Sequence, residues 1–158
     1  MAEIMDEFIG KLYDKADIEK WELPEKTKEQ IGLKENKYFF LTSSREEKHG
    51  MRHVHFSIYP TKYEIVYFIL VKLPEINPQI LSNVITYLKS SNYDIFNSTG
   101  FCSQENTCFF GIYFSYFEDL NKGKLIGDIS EFENVQEVKI FNYTCLGCSE
   151  DKLPKSFL

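Results

Sequence analysis

An almost unbroken run of apolar residues near the middle of the chain gives the clearest local pattern. Residues 65–71 are all apolar, and most are β-branched or aromatic, which is typical of a strand covered on both faces. Asn77 and Pro78 then provide a cap residue and a first-turn proline for a helix. The next apolar residues recur at helical spacing: Ile80, Leu81, Val84, Ile85 and Leu88. The stretch 63–91 therefore predicts a strand, a short loop and a helix.

The first 62 residues predict an extension made of a helix, a connector and a β-hairpin. Apolar residues between Ile4 and Tyr13 follow a 3.6-residue period, which predicts an amphipathic helix. A charged connector follows, and we expect Trp21, the only tryptophan, to anchor it to the body of the protein. Strands are predicted over 37–42 and 52–59, with a polar loop over 43–50 between them. We expect this extension to pack on the core.

Beyond the central helix, the pattern predicts two more strands, a second helix and a final strand. Their expected ranges are 93–102, 108–117, 118–134 and 135–144, and residues 146–158 read as a tail. From residue 63 onward the order is strand, helix, strand, strand, helix, strand. This is the ferredoxin-like βαββαβ pattern of an α+β protein, with a four-stranded antiparallel sheet and both helices on one face. The other face needs a cover, which a partner subunit, the N-terminal helix or the hairpin can supply.

Residues 63–143 resemble an ACT domain, a small regulatory module that binds amino acids. The resemblance lies in the first strand over 65–73, in Pro78 just before the helix, and in the helical stripe that ends at Leu88. It continues through the strand pair around 97–114 and the segment 132–140, and we place the end of this domain at residue 145. ACT domains usually have an Asp-x-Pro-Gly-like turn before the helix. Here Gln79 stands where that pattern has its glycine.

The resemblance implies a non-catalytic regulatory or amino-acid-sensing protein that acts as a homodimer. An amino acid or a similar small anion would then bind near the loop before the helix and the facing strand. A helix N-terminus also offers backbone N–H groups to a carboxylate. The simpler alternative is that Asn77 only caps its helix. The candidate ligand-binding residues are Glu75, Asn77, Gln79, Asn97 and Ser98.

Charge and hydropathy narrow the classes of partner. The net charge is −6 and the pI about 5.1, which makes nucleic acid an unlikely partner. Aromatic side chains such as Phe110 and Tyr113 can stack on bases, but the acidic balance opposes that role. No apolar run approaches the roughly 18 residues of a membrane span. The acidic start lacks the positive region of a signal peptide, so the sequence predicts a cytoplasmic protein with no membrane partner.

The four cysteines fall into two pairs. Cys102 and Cys108 flank the predicted hairpin loop, and Cys145 and Cys148 form a C-x-x-C after the last strand. In a ferredoxin-like sheet these pairs lie at opposite ends, about 20 Å apart, so one zinc site within a subunit is not expected. A disulfide between Cys102 and Cys108 is geometrically easy across a hairpin. Free or loosely paired thiols are the simpler expectation for a cytoplasmic protein.

His53 and His55 are the candidate metal ligands. They alternate on one face of a predicted strand, so their imidazoles can share a metal, completed by His49, Glu46 or Glu47. The simpler alternative is the polar, solvent-facing side of an edge strand. A metal-binding protein or enzyme centred on these histidines is the second hypothesis for the function.

The third hypothesis is a protein-interaction domain that has lost its ligand pocket. Its binding surface would be a face rich in Phe and Tyr, together with the predicted helix over 4–13. The sequence contains no G-x-S-x-G, P-loop or G-x-G-x-x-G motif and no carboxylate pair in an apolar pocket. We therefore favour a non-catalytic protein over an enzyme and predict no cofactor.

Overall fold

The chain is an α+β protein with antiparallel sheets and four helices among the residues described. The structure is a computed structural model, and it describes residues 9–48 and 50–144. These residues form two compact units. The first comprises the described parts of Met1–Ile65 and Tyr143–Leu158, and the second is Val66–Asn142. The α+β class expected from the sequence is thus confirmed.

The first unit is built on a three-stranded sheet in the order β1-β2-β3. Its strands are β1 (Ile9–Asp14), β2 (Tyr38–Lys48) and β3 (Met51–Thr61), and both pairings are antiparallel. Two short helices, α1 (Lys15–Glu19) and α2 (Glu25–Gln30), lie between β1 and β2 in the chain. At the tip of the β2–β3 hairpin, Gly50 takes a φ of +70°, a conformation that glycine adopts at little cost.

A compact apolar cluster of Ile18, Leu33 and Phe39 stabilises this unit. Trp21 packs against the cluster and meets the Tyr13 ring edge to face, with 5.1 Å between ring centroids. Trp21 therefore packs the connector against the strands of its own unit, and the anchoring to the body of the protein stays a prediction.

Two predictions for the first unit are wrong. The helix expected over 4–13 is instead strand β1 from Ile9 onward, and residues 4–8 lie outside the described residues. Gly10 weakens a helix by about 1 kcal/mol, and pairing with β2 satisfies the backbone of this segment as a strand. The polar loop expected over 43–50 is mostly strand, because β2 continues to Lys48 in register with β3. A two-stranded ribbon needs no buried face, so polar residues fit there.

The second unit contains a four-stranded sheet in the order β5-β6-β4-β7. The elements are β4 (Ile65–Leu73), α3 (Pro78–Ser90), β5 (Asp94–Gln104), β6 (Thr107–Ser115), α4 (Lys122–Ser130) and β7 (Glu137–Thr144), with the end residues of β4 and β7 counted in the first unit. The first strand of the βαββαβ series thus lies inside the sheet, beside the third and the last. This is the strand order of a ferredoxin-like sheet. β6 is antiparallel to both of its neighbours.

Burial explains why the central apolar run forms β4. Its residues from Val66 to Val71 are all buried, so both faces of the strand are covered. Helix α3 buries Ile80, Val84 and Leu88, and α4 buries Leu125 and Ile129, so each helix turns one apolar stripe inward. None of the helices among the described residues has the length and apolar character needed to cross a membrane.

Candidate functional site

The loop between β4 and α3 lies at the end of the sheet where β5 and β6 form their hairpin. Leu73, the last residue of β4, is paired with Cys108 of β6, which is in turn paired with Cys102 of β5. The loop over residues 74–77 leaves the sheet at this row. The ligand site predicted from the sequence was centred on this loop.

Asn77 begins α3 as its cap residue. Its Oδ1 accepts a hydrogen bond of 2.9 Å from the backbone N–H of Gln79. Pro78 carries no N–H, and the N–H of Ile80 donates to the carbonyl oxygen of Asn77 at 3.1 Å. The backbone donors of the first turn are therefore already used. A carboxylate that binds here would take the Gln79 N–H from the Asn77 side chain.

The side chains of Glu75 and Gln79 both face solvent. Glu75 is exposed, and the amide Nε2 of Gln79 donates to Asn83 Oδ1 at 2.9 Å, one helical turn further on. Glu75, Asn77 and Gln79 are thus close together along one exposed loop. Glu75 supplies a negative charge there, and the N-terminus of α3 supplies a partial positive charge.

Asn97 and Ser98 lie on β5, several residues from the row of paired residues at which β4 ends. Asn97 is paired with Tyr113 and Ser98 with Ile112, whereas the row that ends β4 contains Cys102. Ser98 is therefore about 13 Å from that row, at roughly 3.3 Å per residue. Successive strand residues point to opposite faces, so Asn97 and Ser98 do not share a face. The three loop residues are neighbours along the chain, whereas Asn97 and Ser98 are on β5, and a single ligand site formed by all five stays a prediction.

A contact that the sequence did not predict joins the loop to β5. A Cβ added to Gly100 would lie 3.3 Å from Ile76 Cδ1 and 3.3 Å from the backbone oxygen of Phe109. Ile76 therefore packs directly over the bare backbone of Gly100. A glycine inside a predicted strand often marks such a close approach, and that signal was present in the sequence.

A disulfide links Cys102 and Cys108 across the β5–β6 hairpin, beside the loop. The two Cα atoms are 3.9 Å apart, and Cys108 Sγ is 3.9 Å from the carbonyl oxygen of Pro74. Free thiols, the simpler expectation from the sequence, are therefore wrong for this pair, and the disulfide across the hairpin is the alternative that the structure has. Cys145 and Cys148 lie outside the described residues.

His53 and His55 are both exposed, and their ring centroids are 6.3 Å apart. His49, and the side chains of Glu46 and Glu47, are not among the parts of the chain that the structure describes. Within the described part, no three His, Cys, Asp or Glu side chains come close enough to hold a metal ion. A metal at His53 and His55 stays a prediction, which metal analysis of the untagged protein tests.

A polar network joins the two helices at the other end of α3. Tyr87 donates a hydrogen bond of 2.5 Å to Asp128 Oδ2, and Lys124 Nζ lies 2.5 Å from the same oxygen. Hydrogen bonds from Lys124 and then from Tyr87 lower the pKa of Asp128. Burial, and then the Asp128 bond, raise the pKa of Tyr87. Every charge in this network has a partner, so we assign it to holding α3 against α4.

Comparisons with known proteins give little support for assigning a family. No model of a known protein family matches the sequence, and no curated protein matches it. Among solved structures, a formyltetrahydrofolate deformylase from Pseudomonas putida KT2440 is similar, with a TM-score of 0.37 and 15% sequence identity. The similar region covers 50% of this chain and 28% of the deformylase chain. A similarity of this size does not assign this chain to a family.

Proposed function

We propose that this protein is a non-catalytic regulatory protein of the ACT type that binds an amino acid or a similar small anion and acts as a dimer. One observation carries the proposal. A βαββαβ unit is complete around β4, and its first loop is exposed and packs on strand β5 through Ile76 and Gly100. That loop is where the resemblance to ACT domains implies a ligand.

The residues of the loop suit the two charged ends of an amino acid. The ligand carboxylate would replace Asn77 Oδ1 as the acceptor of the Gln79 N–H, at the positive end of the α3 dipole. The Glu75 carboxylate lies on the same loop and would pair with the ligand ammonium group. Binding would therefore exchange one hydrogen bond for another and add one ion pair.

The proposed dimer would form along β5, the outermost strand of its sheet on that side. Edge strands present backbone N–H and C=O groups to which a second chain can bind. Pairing two copies along β5 would bring the Gly100 of each copy close to the interface. A ligand that moves the loop between β4 and α3 would then also move Ile76 on Gly100, and so change the dimer interface.

A thermal-shift screen with each of the twenty amino acids at millimolar concentration tests the ligand. We expect at least one of them to raise the melting temperature. Asn77→Asp provides the sharper variant, because aspartate caps a helix as well as asparagine does but repels a ligand carboxylate. The fold should stay intact while the shift is lost. Gln79→Ala is the matched control, since its backbone N–H remains. No shift with any amino acid would overturn the proposal.

Sedimentation velocity on the full chain tests the dimer. We expect a dimer at micromolar concentration. Ser98→Pro should disrupt it, because proline has no backbone N–H to donate to a strand of the second copy. Thr99→Pro is the companion variant on the next residue, whose N–H points to the opposite side. One of these two N–H groups faces β6, so proline at that position should lower the melting temperature by weakening the β5–β6 pairing. Proline at the other position should abolish the dimer while the melting temperature is kept, and a dimer that survives both substitutions would exclude pairing along β5.

A second candidate function is a protein-interaction domain. Three large apolar side chains of β3 are strongly exposed: Met51 at 65%, Val54 at 54% and Phe56 at 66%. Exposed apolar side chains that cluster on one element often mark a binding surface. Val54→Thr with Phe56→Thr should then abolish capture of a partner without lowering the melting temperature. Retained capture by that double variant would exclude this surface.

A further inference from the structure

We propose that the Cys102–Cys108 disulfide is a redox switch that controls the loop between β4 and α3. The pair lies on the row of residues from which the loop leaves the sheet, because Cys108 is paired with Leu73 as well as with Cys102. The proposal rests on the proposed function only where it concerns ligand affinity. The effect on the loop itself stands without a ligand.

The two cysteines differ in access to solvent, which sets the direction of the reaction. Cys102 is an exposed residue, whereas Cys108 is only 3% exposed. The thiolate of an external dithiol would therefore attack Cys102 Sγ, break the S–S bond and release Cys108 as the leaving thiolate. The second thiol of the reductant then displaces Cys102. The dithiol loses two electrons and two protons, and both cysteines become thiols.

Reduction would change the surroundings of the loop. In the disulfide, Cys108 Sγ carries no hydrogen and lies 3.9 Å from the Pro74 carbonyl oxygen. After reduction the same sulfur is an S–H donor next to that oxygen, at the first residue of the loop. Cys102 and Gly100 are two residues apart and share a face of β5, so release of Cys102 also loosens the strand beneath Ile76.

The disulfide constrains less of the chain than a bond between distant residues would. It closes only the short loop between positions six residues apart, so its entropic stabilisation is at the low end for a disulfide. The turn already has Asn106 in the left-handed conformation that tight hairpin turns use. Disulfides with an exposed sulfur are the more readily reduced ones, and Cys102 is exposed. These features together fit a reversible bond better than a structural one.

Hydrogen exchange on the full chain with Cys145→Ser and Cys148→Ser tests the switch, since only one cysteine pair then remains. Alkylation and mass measurement count the thiols before and after treatment with dithiothreitol. On reduction we expect amides over 74–80 and 99–109 to exchange at least tenfold faster. Amides of α4 should not change. Equal exchange in both states, or free Cys102 and Cys108 thiols in protein prepared without reductant, would overturn the proposal.

A second variant and a ligand measurement separate this proposal from the proposed function. Cys102→Ser in the same background leaves Cys108 as a thiol and should reproduce the reduced exchange pattern without any reductant. An amino acid that binds should do so at least threefold more weakly in the reduced protein. If no amino acid binds, the proposed function fails while the exchange result still decides the switch. If binding is equal in both states, the link between switch and site fails.

Discussion

The hydroxyl of Tyr87 in α3 donates a hydrogen bond of 2.5 Å to Asp128 Oδ2 in α4. Lys124, one turn before Asp128 in α4, contacts the same oxygen. The two helices of the second unit are thus tied by a side-chain bond as well as by their apolar stripes. The Tyr87 ring also meets Phe132 edge to face, with 6.5 Å between centroids, so the tyrosine is held from two sides.

Replacing Tyr87 with phenylalanine removes this bond and keeps the ring. A net hydrogen bond contributes about 1 kcal/mol, so we expect the melting temperature to fall by about 2–4 °C. Tyr38→Phe is the matched control, because the Tyr38 hydroxyl makes no hydrogen bond with any of the residues described. Calorimetry measures both variants. Equal melting temperatures for Tyr87→Phe and Tyr38→Phe would show that the bond adds nothing.

Asp128 should make the stability of the protein fall in acid. Its pKa is lowered from 3.8, first by the hydrogen bond from Lys124 and then by that from Tyr87. The native state therefore holds this proton less tightly than the unfolded chain. The stabilisation is present above about pH 4 and is lost as the pH falls through the lowered pKa. Urea unfolding at pH 7 and pH 3 should show the Tyr87→Phe deficit shrinking at the lower pH. A constant deficit would contradict this.

Three tyrosines should make the protein less stable at alkaline pH. Burial is the main cause that raises the pKa of Tyr67, Tyr87 and Tyr93 above 10.0. Because of the raised pKa, the native state keeps these protons to a higher pH than the unfolded chain does. Their contribution to the free energy of unfolding is therefore complete below about pH 10 and is lost as the pH rises through the raised pKa. Absorbance at the tyrosinate band should show a late-titrating fraction among the ten tyrosines. Tyr93→Phe should reduce that fraction, and urea should abolish it.

The local features of the second unit could be predicted from the sequence, but contacts between distant residues could not. The apolar run of β4 and the Asn77 cap are encoded within a few residues, and both are where they were expected. Strand β1 depends on pairing with β2, some thirty residues away, so a helical period misled its prediction. At the site, a register shift between Ile95 and Asn97 decides which face of β5 Asn97 takes. No short-range pattern reports such a bulge.

Asn77→Ala should lower stability through the helix cap alone. The Asn77 side chain satisfies the Gln79 N–H, and removing a cap of this kind costs about 1 kcal/mol. Asn77→Ser, which also caps well, should restore most of the loss. Denaturant unfolding of the three proteins measures the difference. An alanine variant as stable as the native protein would mean that water replaces the cap at no cost.

Gly100 and Ile76 should show energetic coupling, because their contact holds the candidate loop on β5. Gly100→Ala would place a methyl group 3.3 Å from Ile76 Cδ1, and Ile76→Ala would clear that space. The double variant should therefore be more stable than the sum of the single effects, by about 0.5–1 kcal/mol.

Gly127→Ala is the control, because nothing lies within 4 Å of a Cβ added there, in the interior of α4. That substitution should stabilise the helix by about 0.5–1 kcal/mol and add independently to Ile76→Ala. Strict additivity for both glycines would mean that Ile76 does not rest on Gly100 in solution, and the loop would then have no mechanical link to β5.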